Sequence, residues 1–184
     1  MRITVSTLLA LLVVAILLIA FRGRVNADKS SDAKSPEATQ TAPVIPTAAD
    51  LAPAPKIVKS ADEWKTQLTS AQYSVLRGKG TERAGSSELL HEHRHGVFVC
   101  AACGAPLFGS DTKFESGTGW PSFNKPFFPA TVTTVKDRSF FTEREEVLCG
   151  RCGGHLGHVF DDGPAPTGLR YCMNGAALKF KERP

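Results

Sequence analysis

Apolar positions along the 184-residue chain follow three different rhythms. From Ile3 to Phe21 there is no charged residue, and Leu8 to Ala20 is wholly aliphatic. This run of 19 residues is close to the roughly 20 needed to cross a bilayer, and it also suits the apolar stretch of a signal peptide. From Asp28 to Pro55 the chain is rich in Ala, Pro, Ser and Thr and nearly free of large apolar groups, the composition of a tether. A third pattern begins at Ser60. Ser60-Ala-Asp-Glu63 has the spacing of a capping box, and Trp64 and Leu68 stand at i and i+4, so a short amphipathic packing helix is predicted through about Ser70. Beyond it the apolar runs are short and rich in Val, Phe and Thr: Gly96 to Val99, Ala130 to Val135, Arg144 to Leu148, His158 to Phe160 and Leu169 to Phe180. Glycines, prolines and aspartates punctuate them, which reads as antiparallel strands joined by turns. The predicted class is mainly β, with one or two short N-terminal helices.

Charge refines the N-terminal reading. Arg2 supplies a positive start, and Val25-Asn-Ala27 resembles a small-residue cleavage site, but Arg22 and Arg24 stand between it and the apolar run. Residues 1–27 are therefore expected to be an uncleaved membrane anchor, with residues 28–55 a linker reaching about 30 Å as a flexible coil. Arg22 and Arg24 would hold the C-terminal part in the cytoplasm by the positive-inside rule, whereas the tether suits a domain held off the outer face. An extracytoplasmic domain is expected, with the cytoplasmic face as the alternative. No cysteine precedes Cys100, which excludes thioether lipidation of the N-terminus.

The stretch from Lys56 to Pro184 has the length of one domain and is expected to act as a monomer. It holds 17 Lys and Arg against 14 Asp and Glu, a balance too weak and scattered for a nucleic-acid surface.

The five cysteines divide unequally. Cys100-Ala-Ala-Cys103-Gly104 and Cys149-Gly-Arg-Cys152-Gly153 are matched knuckles, each suited to half of a tetrahedral zinc site. A four-cysteine zinc site joining distant segments, closing a long loop, is expected over two alternatives. Two disulfides are compatible with export, and a thioredoxin-like redox pair would need a strand-helix-strand unit that neither knuckle shows.

Cys172 stands apart, in Arg170-Tyr-Cys-Met-Asn174. On a strand Arg170, Cys172 and Asn174 project from one face, so a guanidinium and an amide flank the thiol. A free cysteine is only about 3% thiolate at neutral pH, and a neighbouring cation favours the charged form. The competing reading is an inert buried cysteine. Gly154-His-Leu-Gly-His-Val-Phe-Asp-Asp-Gly163 brings His155, His158 and Asp162 close together. In a regular strand the two imidazoles would face opposite ways, and Gly157 could bulge the chain to bring both to one site. A second metal site or a solvated turn would fit the same residues. Lys113-Phe-Glu-Ser-Gly-Thr-Gly-Trp-Pro-Ser-Phe123 could present Trp120 as the wall of a small apolar pocket, or simply pack it. The His91-Glu-His-Arg-His95 run reads as an exposed loop.

Together, Gly117-Thr-Gly-Trp-Pro-Ser-Phe123, the His155-to-Pro164 run, Arg170-Tyr-Cys-Met-Asn174 and both knuckles resemble the B-type methionine sulfoxide reductases, from about Ser60 to Phe180. The resemblance implies two antiparallel sheets and reduction of the R epimer of methionine sulfoxide in oxidised peptides and proteins. It further implies Cys172 as nucleophile, His158 and Asn174 polarising and protonating the sulfoxide, His155 and Asp162 supporting them, Trp120 holding the substrate methyl and Arg170 favouring the thiolate. Cys100, Cys103, Cys149 and Cys152 would hold one structural zinc.

One departure matters most. Many relatives carry a resolving cysteine between the two glycines before the tryptophan, where this chain has Thr118. The Cys172 sulfenic acid would then need an external thiol, from a thioredoxin-like partner or a small molecule, unless a zinc ligand is released. Smaller departures are Gly175, where serine is common, and the segment Glu82 to His95. The competing functions are a zinc-ribbon interaction module without catalysis, and a cysteine hydrolase using Cys172, His158 and Asp162 as a triad.

Overall fold

The structure, a computed structural model, describes residues 55–138 and 143–183. The expected anchor and almost all of the linker lie outside the described residues, among which no helix is long and apolar enough to cross a membrane.

Two capping boxes in series build the N-terminal helices. The Ser60 hydroxyl accepts from the Glu63 N–H at 3.3 Å, and the Glu63 carboxylate accepts from the Ser60 N–H at 2.8 Å. They start α1, Ala61–Gln67. Leu68 is extended, and Thr69 with Gln72 forms a second box that starts α2, Ser70–Leu76. The single helix expected through Ser70 is thus two short ones, because the Thr69 side chain claims an amide that a continuous helix would use internally. Trp64, Leu68, Val75 and Leu76 are buried, so the expected apolar face is the packing face.

Among the described residues, nine antiparallel strands form two sheets. The smaller has the order β2-β1-β9, with β1 Gly96–Cys100, β2 Pro106–Gly109 and β9 Leu178–Glu182. The larger has the order β3-β4-β8-β7-β6-β5. Its strands are β3 Lys113–Phe114, β4 Ser122–Phe123, β5 Val132–Asp137, β6 Arg144–Cys149, β7 His155–Phe160 and β8 Arg170–Met173. β2, β3 and β4 were not predicted, being too short for alternation to register. The apolar run Leu169 to Phe180 is not one strand: β8 ends at Met173, a 3₁₀ turn covers Gly175–Ala177, and β9 joins the other sheet. The reason is a long-range contact, since the Gly175 and Ala176 N–H groups go to the Glu82 carboxylate and cannot join a ladder.

Aromatic rings fill the space between the sheets. Phe108 stacks on Phe123 at 4.4 Å between centroids, Phe98 meets Phe123 edge-on at 4.9 Å, and Phe108 lies 5.7 Å from Tyr171. Tyr171 and Met173 belong to this core, which turns the other face of β8, carrying Arg170 and Cys172, away from it. The chain from residue 55 lies against the second knuckle, with the Ile57 N–H donating to the Arg151 carbonyl at 2.9 Å. Gln67 donates to the Ala102 carbonyl of the first.

Candidate active site

The two knuckles meet. The Sγ atoms of Cys100, Cys103, Cys149 and Cys152 all lie within 4.8 Å of one another, with Cys100 to Cys152 at 3.8 Å and Cys103 to Cys149 at 3.6 Å. Four sulfurs around a tetrahedral zinc at about 2.3 Å stand about 3.8 Å apart, so the donor set fits such an ion. Both knuckles close with the same bond, Gly104 N–H to the Cys100 carbonyl and Gly153 N–H to the Cys149 carbonyl, each 2.8 Å. Arg77, at the C-cap of α2, donates to Cys152 Sγ at 3.2 Å and to its carbonyl at 3.0 Å while stacking on Trp64. A guanidinium there offsets negative charge on the thiolates and ties the helices to the cluster.

Cys172 is held elsewhere, at the centre of the larger sheet. In register it faces Ser122 of β4 on one side and His158 of β7 on the other. This pairing is possible because residue 157 is glycine: a Cβ there would lie 2.1 Å from the Cys172 carbonyl oxygen. The β6–β7 register slips between Val147 and Leu148, leaving Leu156 as the extra residue. The slip does what the sequence suggested a bulge could do, bringing the His155 and His158 rings to 5.5 Å. It also frees the Leu156 carbonyl, which accepts from the Asn174 backbone N–H at 2.8 Å and from its side-chain amide at 3.0 Å.

A cavity of about 130 Å³ opens here, lined by Thr81, Trp120, Arg144, Gly157, His158, Phe160, Cys172 and Asn174. That is below the several hundred Å³ of sites for whole drug-sized ligands, and it suits the end of one side chain. Trp120 is fixed in its wall by an Nε1–H bond to the Glu82 carbonyl at 3.1 Å. A larger, shallow groove of about 910 Å³ begins at the same Thr81–Glu82 arm and holds no thiol and no histidine.

Burial pushes the Cys172 thiol above its ordinary pKa, although Thr118, Arg170 and Ser122 pull it back towards ionisation. Thr118 Oγ1 stands 3.8 Å from Cys172 Sγ and 2.9 Å from the Ser116 hydroxyl, which in turn lies 2.7 Å from that of Ser122. Hydroxyls therefore surround the sulfur on the side away from His158. Burial also lowers the pKa of His155 more than the adjacent Glu146 raises it, so this imidazole is neutral near pH 7. Its Nδ1 is 2.8 Å from Glu146 Oε1, and its Nε2 is buried without a partner. Burial opposes ionisation of Glu146, but hydrogen bonds from Lys79, at 2.8 Å, and His155 outweigh it and hold the carboxyl below its usual range.

A thiol, an imidazole and an amide around one small cavity can attack an electrophilic atom and hand a proton to what leaves it. Comparison with known proteins narrows the class. A family model described as "SelR domain" matches residues 68–182. A peptide methionine sulfoxide reductase MsrB of Leptospira interrogans is 57% identical over 127 residues, covering 69% of this chain and 97% of its own length. The MsrB of Methanosarcina barkeri is 58% identical over 125 residues, 68% of this chain and 88% of its own. That of Bradyrhizobium diazoefficiens is 55% identical over 128 residues, 70% of this chain and 92% of its own. This chain belongs to the MsrB family.

Within that family's fold the expected residues separate into two groups. Cys172, His158, Asn174 and Trp120 line one cavity, and Arg170 shares the Cys172 face of β8. His155 lies behind His158, and Asp162 contacts neither histidine. Asp162 grips Arg170 through two 2.8 Å bonds, and Arg170 stacks on Phe160. The carboxylates that do meet the imidazoles are Glu146 on His155 and Asp137 on His158 Nε2, the latter at 2.9 Å. Sequence reasoning named neither, nor Glu82, nor the Ser116 and Ser122 hydroxyls. The Cys172, His158 and Asp162 triad considered for a cysteine hydrolase does not form, because Asp162 is spent on Arg170. Gly175 also finds its reason: a Cβ there would lie 1.9 Å from Ser87 Oγ and 2.4 Å from Ser87 Cβ, so the chain's two smaller departures touch one another.

The balance of burial and donors around Cys172 has a sign that can be measured. Alkylation of Cys172 by iodoacetamide, followed by peptide mass spectrometry, should rise with pH to a midpoint above the ordinary value of about 8.5. Thr118→Val removes a donor to the thiolate and should move that midpoint further up; a midpoint at or below the ordinary value would refute the assignment.

Proposed function

We propose that this chain reduces the R epimer of methionine sulfoxide in peptides and proteins to methionine, with Cys172 as the nucleophile. The observation that carries the reading is the meeting, in a cavity sized for one side-chain end, of a thiol outside the metal cluster with His158, Asn174 and Trp120 in an MsrB-family chain. The Cys172 thiolate attacks the sulfoxide sulfur, forming an Sγ–S bond as the S–O bond breaks and the protonated oxygen leaves as water; a water molecule then attacks Sγ, breaking that S–S bond and releasing methionine. The sulfur of the substrate gains two electrons, Cys172 is oxidised to a sulfenic acid, and the departing oxygen requires a proton as charge builds on it. Asp137 accepts from His158 Nε2–H, so the proton for the departing oxygen has to come from Nδ1 of a ring that carries a proton on both nitrogens. Asn174 donates one Nδ2–H to Leu156, and its second is left for the sulfoxide oxygen. Trp120 flanks the methyl group. Arg170, oriented by Asp162, offsets the burial cost of the thiolate, and Glu146 holds His155 in the tautomer with its proton on Nδ1.

Regeneration needs an outside thiol. The chain has five cysteines, and the four other than Cys172 are gathered in the knuckle cluster. A first external thiol condenses with the sulfenic acid to give a mixed disulfide and water; a second releases the Cys172 thiol and carries away the disulfide. The reductant would be a thioredoxin-like protein or a small thiol. When bound, a zinc ion on the four knuckle cysteines would act structurally, joining β1 to β6 across the domain. The uncharged run from Ile3 to Phe21 supports a membrane anchor, and the Ala-, Pro-, Ser- and Thr-rich stretch from Asp28 to Pro55 supports a domain held off the extracytoplasmic face.

The purified full-length chain, supplied with dithiothreitol, should convert the R but not the S epimer of a blocked methionine sulfoxide, read by chiral chromatography. Cys172→Ser should lose at least about a thousandfold of that activity, and an equally active serine variant would end the proposal. Elemental analysis should find one zinc per chain, and Cys149→Ser should lose both the metal and the cooperative melt. A metal-free chain with an unchanged melting temperature would contradict the structural role.

A further inference from the structure

Glu82 lies outside every strand and helix, yet four hydrogen bonds link it to two separate segments, one at Trp120 and one at Asn174 to Ala176. Its backbone N–H donates to Asn174 Oδ1 at 3.0 Å, and its carbonyl accepts from the Trp120 indole at 3.1 Å. Its carboxylate accepts from the Gly175 N–H at 2.5 Å and the Ala176 N–H at 2.9 Å. The last two are the leading amides of a 3₁₀ turn, which have no partner within the turn itself and are satisfied here by an anion.

These bonds define how Asn174 is oriented. A backbone N–H can only donate and a carbonyl can only accept, so the atom facing Glu82 is the amide oxygen and the atom facing Leu156 is the amide nitrogen. With the oxygen engaged, the group still free to face the cavity is an N–H. If the Glu82 backbone lifted away, the amide could turn and offer its oxygen to the sulfoxide oxygen, which repels it. The same backbone carbonyl holds the Trp120 indole against the cavity. Further along the arm, Ser87 packs where a Gly175 side chain would be, so the carboxylate clamp and this close contact press the arm onto one short stretch of chain just past Cys172.

We propose that Glu82 is a positioning residue for the reaction: its carboxylate clamps the Thr81–Ser87 arm to Gly175 and Ala176, and the arm's backbone thereby orients Asn174 and Trp120 towards the substrate. The inference rests on the reading above that these two side chains face the sulfoxide. Glu82 touches no substrate itself, so its removal must act through its neighbours.

The test is a double-mutant cycle on the full-length, metal-loaded chain, using Glu82→Ala, Asn174→Ala and the pair. Two quantities are read: the rate at which one equivalent of R sulfoxide becomes methionine without added reductant, and solvent exchange of the Trp120 indole N–H by NMR, assigned with Trp120→Phe. Glu82→Ala should slow the single turnover by about ten- to a hundredfold. In the Asn174→Ala background the same change should cost no more than about twofold, because the two act through one contact. The Trp120 indole proton should exchange faster in Glu82→Ala at a temperature where both proteins are fully folded. A wild-type rate in Glu82→Ala, losses that simply multiply in the pair, or unchanged indole exchange would each overturn the proposal. If Glu82→Ala does not fold, Glu82→Gln, which keeps one acceptor, carries the same cycle with a smaller loss and the same non-additivity. A wild-type chain that makes no methionine would instead sink the functional reading, while indole exchange would still decide whether Glu82 holds Trp120.

Discussion

Strand β7 can lie against β8 at Cys172 only because residue 157 has no Cβ, and the candidate site depends on that approach. With the strands this close, His158 falls directly across from Cys172, and the Leu156 carbonyl accepts from the backbone N–H and one side-chain N–H of Asn174. The accompanying register slip turns His155 towards the ring of His158 instead of to the opposite face. Any side chain at 157 would have to move backbone atoms of β8, not the end of a flexible neighbour. One missing methyl thus sets the spacing of nucleophile, imidazole and amide together.

The second constraint is electrostatic. Placing a thiol where a side-chain end can be enclosed costs it ionisation, and the surrounding groups recover only part of that cost: a guanidinium pinned by Asp162 and hydroxyls from Thr118 and Ser122. The same partition of roles runs through all five cysteines. Four are drawn together beside Arg77 in a geometry suited to a metal ion, and one is left half-buried among donors that favour its anion without fixing it in that state. A thiol that is mostly protonated at rest is protected from adventitious oxidation, since the thiolate is the oxidisable form.

What could be read from the sequence was local. The knuckles, the Ser60–Glu63 box and the alternation of Arg170 and Cys172 are each contained within a few residues, and each took the expected form. The partners that were missed come from register. Which carboxylate meets which imidazole depends on how β5, β6 and β7 align, and the hairpin that pairs Phe160 with Arg170 carries Asp162 to the guanidinium instead of to a histidine. Likewise the run Leu169 to Phe180 looks continuous until Glu82, far away in sequence, takes the amides that would have extended it. The segment Glu82 to His95, which departs from the family pattern, supplies the arm that packs against the site.

The central claim is that Cys172 works as a lone thiol, with a hydroxyl at 118 and the other four cysteines committed to the metal cluster. The most direct measurement is mass spectrometry of the chain after one turnover on methionine sulfoxide, without reductant and with a sulfenic-acid trap present. The account predicts the trap on Cys172, no disulfide, and a knuckle cluster still metal-bound. A disulfide joining Cys172 to Cys100, Cys103, Cys149 or Cys152, with metal released, would contradict it.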